Sequence, residues 1–211
     1  LIVGAGTAMG EAGLASLTGN IIFQGNAVRN RSQLYREIES KGGRMGMITG
    51  ATVSIFFIEA PTDLFPGCFP IFCNAMASPL FEERQAAMAR RSLRDRDRNM
   101  DLMRFAGRMP HEDAVREILY PSSPLGRSEK KSGRIFSCRE AAMFYEQWYH
   151  PANITVSVSG GVKPGDILSV LARCWEGTKG GPGPSPLPFD RGPHPDSVRY
   201  RIRSGGTKTT V

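Results

Sequence analysis

Two helix-forming stretches in close succession, followed by two β-like runs, constrain this chain more than any other feature of its sequence. The segment Gly10 to Phe23 reads as a helix despite the poor helix propensity of Gly13 and Gly19. A second helix is expected from Ser32, a candidate N-cap, to Lys41, where Gly42-Gly43 stops it. Arg44 to Thr49 and Thr52 to Ile58 then read as strands, the second rich in β-branched and aromatic residues. A strand at Leu1-Ile2-Val3 precedes this block.

After it, Thr62 or Asp63 can cap a helix that Pro66 and Pro70 confine to its later part, before Pro79 ends it. Helices follow over Glu82 to Met109, Glu112 to Leu119 and Arg139 to Trp148, then a strand Ile154 to Ser159, an amphipathic segment Gly165 to Trp175 and the start of a last strand at Val198 to Ile202. Strands interleaved with helix pairs predict an α+β two-layer sandwich, a mostly antiparallel sheet with helices on one face. Gly177 to Asp196, rich in Gly and Pro, is expected to be a surface loop.

Composition narrows the partners. With 211 residues, 40% of them hydrophobic and 22% charged, the chain supports one sizeable domain and fits no disorder class. No apolar stretch reaches the roughly 18 residues that span a bilayer, because Glu59, Asp63 and several prolines interrupt the most hydrophobic region, so at most peripheral membrane contact is expected. A net charge of +7 suits an acidic partner. Arg91, Arg94 and Arg98 fall on one helix face with Asp95 and Asp97 interleaved, which reads as a solvated, self-paired face or as contact with an acidic subunit. Nucleic acid is not expected, since no aromatic residues interleave with the basic ones. Cys68, Cys73, Cys138 and Cys174 lack metal-knuckle spacing and read as buried free thiols.

The stretch Gly13-Leu14-Ala15-Ser16-Leu17-Thr18-Gly19-Asn20-Ile21-Ile22-Phe23-Gln24-Gly25-Asn26 carries the functional reading. It resembles the active-site helix of the pitrilysin-like, or processing-peptidase, family of zinc proteases. There the frame is Gly-Leu-Ala-His-x-x-Glu-His, then an apolar pair, Phe, any residue, Gly and Thr. Gly13, Leu14, Ala15, Phe23 and Gly25 keep that frame without a gap, while Ser16, Gly19 and Asn20 stand at the catalytic positions. Two His four residues apart can both ligate Zn²⁺ from one helix face, and a Glu before the second can deprotonate the metal-bound water. A hydroxyl and a neutral amide are weak Zn²⁺ ligands, and Gly offers no base. The resemblance implies one more ligand, a Glu on a later helix. The matching stretch Phe81 to Asp97 places Ala89 and Arg96 at its two acidic positions; a shift of register would offer Asp95 or Asp97, but one carboxylate without imidazoles does not hold zinc tightly. No catalytic, cofactor-binding or metal-binding residue is therefore assigned, and the chain is expected not to be an enzyme.

Further landmarks of the family recur in order: Ser32 to Ser40 ending at Gly42-Gly43, Ala75-Met76-Ala77 running into Ser78-Pro79-Leu80-Phe81, Ser123-Pro124-Leu125-Gly126-Arg127, Phe144-Tyr145, and Tyr149-His150-Pro151-Ala152-Asn153 before a strand. They cover nearly the whole chain. The chain begins with Leu1 and stops at Val211 in what reads as a strand; since such proteins join two such halves, residues 1–211 are expected to form one metalloprotease-like domain, the N-terminal half of a longer protein. The resemblance implies a non-catalytic subunit with a structural or substrate-presenting role beside a homologous catalytic or core subunit, within a larger complex. Its setting would be the matrix side of the mitochondrial inner membrane, as the non-catalytic processing-peptidase subunit or a core subunit of the cytochrome bc1 complex; the alternative is the inactive partner of a bacterial zinc protease. A glycine-rich loop that binds presequences lies in the second half of family members, so Gly180-Gly181-Pro182-Gly183 is expected to be linker.

Two rival readings fit parts of the sequence. Leu1 to Gly10 imitates a dinucleotide-binding turn, with Gly4, Gly6 and Gly10 between a strand and a helix, but Ile21 to Arg29 lacks the acidic residue that would hold the ribose of an oxidoreductase cofactor. A protease with another nucleophile would need His111, His150 or His194 as its base, and no serine or cysteine motif accompanies them.

Overall fold

The computed structural model describes residues 1–11, 13–105, 112–120, 123–126, 134–178, 201–204 and 207–210, without the side chains of 100–105, 112–114, 201–204 and 207–210. Strands β1 (Ile2–Val3), β2 (Arg44–Thr49), β3 (Ser54–Glu59) and β4 (Ile154–Thr155) form one antiparallel sheet in the order β2-β3-β1-β4. Register sets its two faces. Met47 pairs with Phe56 and Met45 with Ile58, so alternation turns these side chains toward the helices and leaves Arg44, Ile48, Phe57 and Glu59 on the opposite face.

Helices α1 (Leu14–Ile22), α2 (Arg31–Glu39) and α3 (Phe65–Ala77) cover the apolar face, the α+β sandwich expected. Phe56 is fully buried at its centre, edge-on to Phe23 and Tyr149 with ring centroids 5.8 Å away in each case. On its other side α1 packs against α4 (Glu83–Phe105) and α6 (Cys138–Trp148) through Leu17, Ile21, Ala86, Ala89 and Ala141. α1 is thus buried nearly all round, exposing only parts of Leu14 and Asn20. Helices α5 (Glu112–Leu119) and α7 (Pro164–Cys174) and the hairpin of β5 (Arg201–Ser204) with β6 (Thr207–Thr210) complete the described α-helices and strands.

Several boundaries differ from expectation for local reasons. α1 starts at Leu14, not Gly10, because Gly13 takes φ +96°, a left-handed backbone that favours glycine and interrupts a helix. Asn30, not Ser32, caps α2: its side chain accepts from Gln33 N at 3.0 Å, and Gln33 Oε1 accepts from Asn30 N at 2.9 Å. α3 begins at Phe65, ahead of both prolines, since Pro66 sits in the first turn where its missing N–H costs nothing; Pro70 lies inside the helix. β3 runs Ser54–Glu59. β4 stops at Thr155 because β1, its partner among the described residues, is two residues long. The segment 179–200, which holds all but Gly177 and Thr178 of the expected loop, Gly180 to Gly183 and the start of the last strand, lies outside the described residues, as do His111 and His194.

Only Cys68 and Cys73 are buried, while Cys138 and Cys174 are half-buried. Burial pushes the Cys73 thiol up, and Cys174 beside it adds to the effect. The arginine face of α4 is not self-paired: Arg91, Arg94 and Arg98 are exposed without an ion pair to Asp95 or Asp97, and Asp97 instead meets Arg96 at 3.4 Å. Among the described residues no helix is long and apolar enough to cross a membrane.

Candidate functional site

Three polar side chains on and just after α1 bond back to its backbone. Asn20 Nδ2 donates to Ser16 O at 2.9 Å, Thr18 Oγ1 to Leu14 O at 2.9 Å, and Gln24 Nε2 to Asn20 O at 3.1 Å. Ser16, 2% exposed, and Asn20 lie one turn apart on the face where two imidazoles would converge.

Gly19 closes the remaining position from the sheet side. A Cβ there would stand 2.5 Å from Met47 Cε, 2.9 Å from Met47 Sδ and 3.3 Å from Phe56 Cζ. The space of a general base is taken by a thioether from β2, so the missing carboxylate is matched by a side chain that packs where it would have been. On α4, Ala89 is fully buried among Leu17, Ile21 and Ala86, and Arg96 lies two turns further along, 40% exposed beside Asp97. Asp95 is exposed. No three His, Cys, Asp or Glu side chains come together among the described residues. A hydroxyl, an amide that donates to its own helix, a guanidinium, a thioether and a methyl group do not make a zinc site.

The glycines that imitate a dinucleotide turn serve internal packing. A Cβ on Gly4 would meet Asn153 Oδ1 at 2.3 Å, and one on Gly6 would meet Gly50 O at 2.4 Å. The N–H groups that could cradle a phosphate are already used: Thr7 N donates to Gly50 O at 3.0 Å and Ala8 N to Ala51 O at 2.9 Å. β1 also runs antiparallel to both neighbours, unlike the parallel first strand of a dinucleotide fold. His150 is 4% exposed within a structural turn, in which Asn153 Nδ2 donates to Trp148 O at 2.8 Å and Asn153 O accepts from Gly4 N at 3.0 Å. Tyr149 stacks on Tyr145 at 4.9 Å, and burial raises both phenols above their ordinary range.

The sequence singled out Ser16, Gly19, Asn20 and Ala89, and the structure brings all four to the faces of α1 or its contact with α4. It missed Met47. The signal was the glycine at position 19 itself, because a glycine on a buried helix face marks a close neighbour.

No curated protein matches the chain. Among solved structures it is similar to the peptidase M16 inactive domain from Pseudomonas fluorescens, with a TM-score of 0.70, 17% identity, and 88% of this chain and 46% of that chain covered. It is also similar to pitrilysin, with a TM-score of 0.64, 21% identity, and 81% of this chain and 19% of that one covered. The chain thus spans under half the length of either. A profile of the insulinase family, peptidase family M16, matches residues 1–128. That is more than half of the 211 residues, running through α1, the β2–β3 hairpin and α4, and the chain belongs to the insulinase family, peptidase family M16.

Proposed function

We propose that this domain is a non-catalytic member of the family, acting as a structural or substrate-presenting partner of a homologous subunit. The observation that carries the reading is Gly19: the residue that would activate water is absent, and Met47 fills its place from the sheet. Ser16 and Asn20 beside it, and Arg96 at the downstream ligand position, supply no imidazole or carboxylate. The likeness in fold to a domain described as inactive agrees with this reading. The setting we favour is the matrix side of the mitochondrial inner membrane, as a processing-peptidase subunit or a cytochrome bc1 core subunit, since a basic, degenerate copy suits a scaffold there. The alternative is the inactive partner of a bacterial zinc protease, a setting suggested by the bacterial source of the inactive domain. Identifying the proteins that copurify with the endogenous chain distinguishes the two.

Metal analysis and peptidase assay test the central point. The full-length protein, dialysed and purified, is expected to hold no stoichiometric zinc through this domain and to show no chelator-sensitive cleavage that depends on Ser16 or Asn20. The combined variant Ser16→His, Gly19→Glu and Asn20→His is expected to remain metal-free while Met47 and Arg96 are in place. Stoichiometric metal lost on Asn20→Ala would overturn the reading.

A further inference from the structure

One turn beyond Asn20, just past the end of α1, three elements border a half-open cavity of about 310 Å³ that the pseudo-active site does not use. Gln24 lines it from the end of α1, Asn30 and Arg31 from the start of α2, and Arg84 and Gln85 from the start of α4. Two helix N-termini therefore face it, each bringing N–H groups with no partner inside the helix and the positive end of a dipole. Arg29 adds a third guanidinium, and no acidic residue lines the wall.

The three cations differ. Arg29 is neutralised by Glu37 at 2.9 Å, and Arg31 lies 4.8 Å over the ring of Tyr35. Arg84 is exposed and has no ion-pair partner among the described residues. A second, independent feature concerns acceptors rather than charge. Gln24, 4% exposed, and Gln85 each carry a buried Oε1 without a hydrogen-bond partner. A buried acceptor left without a donor is unfavourable, and two on residues that line one cavity gain N–H or O–H donors when their amides turn toward a ligand there. A bare anion would satisfy the arginines and leave the glutamines unmet, whereas a neutral peptide would do the reverse. The volume stands near the lower end of the about 300–1,000 Å³ of small-ligand sites, enough for one acidic residue and its flanking amides.

We infer that this cavity docks an acidic peptide segment of another chain, its Asp or Glu carboxylate paired with Arg84 and Arg31 and its backbone N–H groups donating to Gln24 and Gln85. The inference stands whether or not α1 binds metal, so its failure and the failure of the non-catalytic reading are distinguishable.

Titration calorimetry of the full-length protein tests it with four probes: acetyl-Glu-Glu-amide, acetyl-Lys-Lys-amide, glutarate and inorganic phosphate. The diglutamate peptide is expected to bind and the dilysine peptide not, with glutarate and phosphate weaker by about tenfold or more. Arg84→Glu is expected to cost the diglutamate peptide at least about tenfold, while Arg91→Glu, elsewhere on the exposed face of α4, leaves it unchanged. Because Arg84 is exposed, its replacement leaves the core intact. Gln85→Leu is expected to weaken the peptide but not glutarate. No binding of the diglutamate peptide, equal binding of glutarate or phosphate, or an indifferent Arg84→Glu would each overturn the proposal.

Discussion

At the scale of single residues, the contact of Gly19 with Met47 governs what α1 can carry. Alanine at position 19 would gain about 1 kcal/mol of helix propensity. Its Cβ would also force aside a Met47 methyl that stands 2.5 Å away, while Phe56, fully buried, cannot yield at 3.3 Å. The two substitutions are therefore coupled. Gly19→Ala is expected to be less favourable in the wild-type background than beside Met47→Ala, with an interaction energy of about 1 kcal/mol in a double-mutant cycle read by urea unfolding. Additive effects would show that the thioether does not occupy the space. This is also where legibility in the sequence ran out. Ser16, Gly19 and Asn20 could be read directly, because their positions follow from the spacing along one helix. Met47 could not, because which side chain fills a gap depends on the register of a strand distant in sequence, and nothing local to β2 encodes it.

At the scale of elements, periodicity located the helices and strands, whereas their ends answer to individual hydrogen bonds. The Asn30–Gln33 capping box predicts that Asn30→Ala destabilises the fold by about 1 kcal/mol in chemical denaturation, while Ser32→Ala changes stability little. The reverse order would restore Ser32 as the cap. A second box starts α6, where Glu140 accepts from Ser137 N at 2.8 Å and from Ser137 Oγ at 2.9 Å, with Arg134 alongside at 2.6 Å. These bonds, the backbone one first, hold the Glu140 carboxyl below its usual range. A depressed carboxylate contributes stability above its unfolded value, about 4.3, and loses it as pH falls through the folded value. Compared with Glu140→Gln, which keeps a box-forming residue without the charge, the wild type is expected to hold a constant advantage near neutral pH that vanishes in acid. A difference in stability independent of pH would remove the electrostatic account. α3 shows the opposite limit: its two prolines suggested a late start, yet a first-turn proline suits a helix, and burial of Cys68, Phe69, Phe72, Cys73 and Met76 offsets the bond lost at Pro70.

At the scale of the whole molecule, the sheet face turned away from the helices is where the partner expectation is put to the test. Ile48 pairs with Ile55, and Ile55 with Ile2, so three isoleucines form a row across β2, β3 and β1, with Phe57 on the same side. Ile48 is 60% exposed, and among the described residues no strand lies beyond β2 in the sheet. An apolar row beside an unpaired edge invites association unless another surface covers it. From the non-catalytic reading we expect the cover to be a homologous subunit, over an interface of more than about 1,000 Å² as stable assemblies require. The endogenous full-length protein should then migrate above its own mass in native-mass measurement, with a homologous subunit in the complex. Ile48→Asp should release that subunit, because a carboxylate buried against apolar side chains has no partner there, while leaving the helix-facing core untouched. A monodisperse monomer, or a complex indifferent to Ile48→Asp, would count against the scaffold role, because that role acts only through a surface that a partner covers.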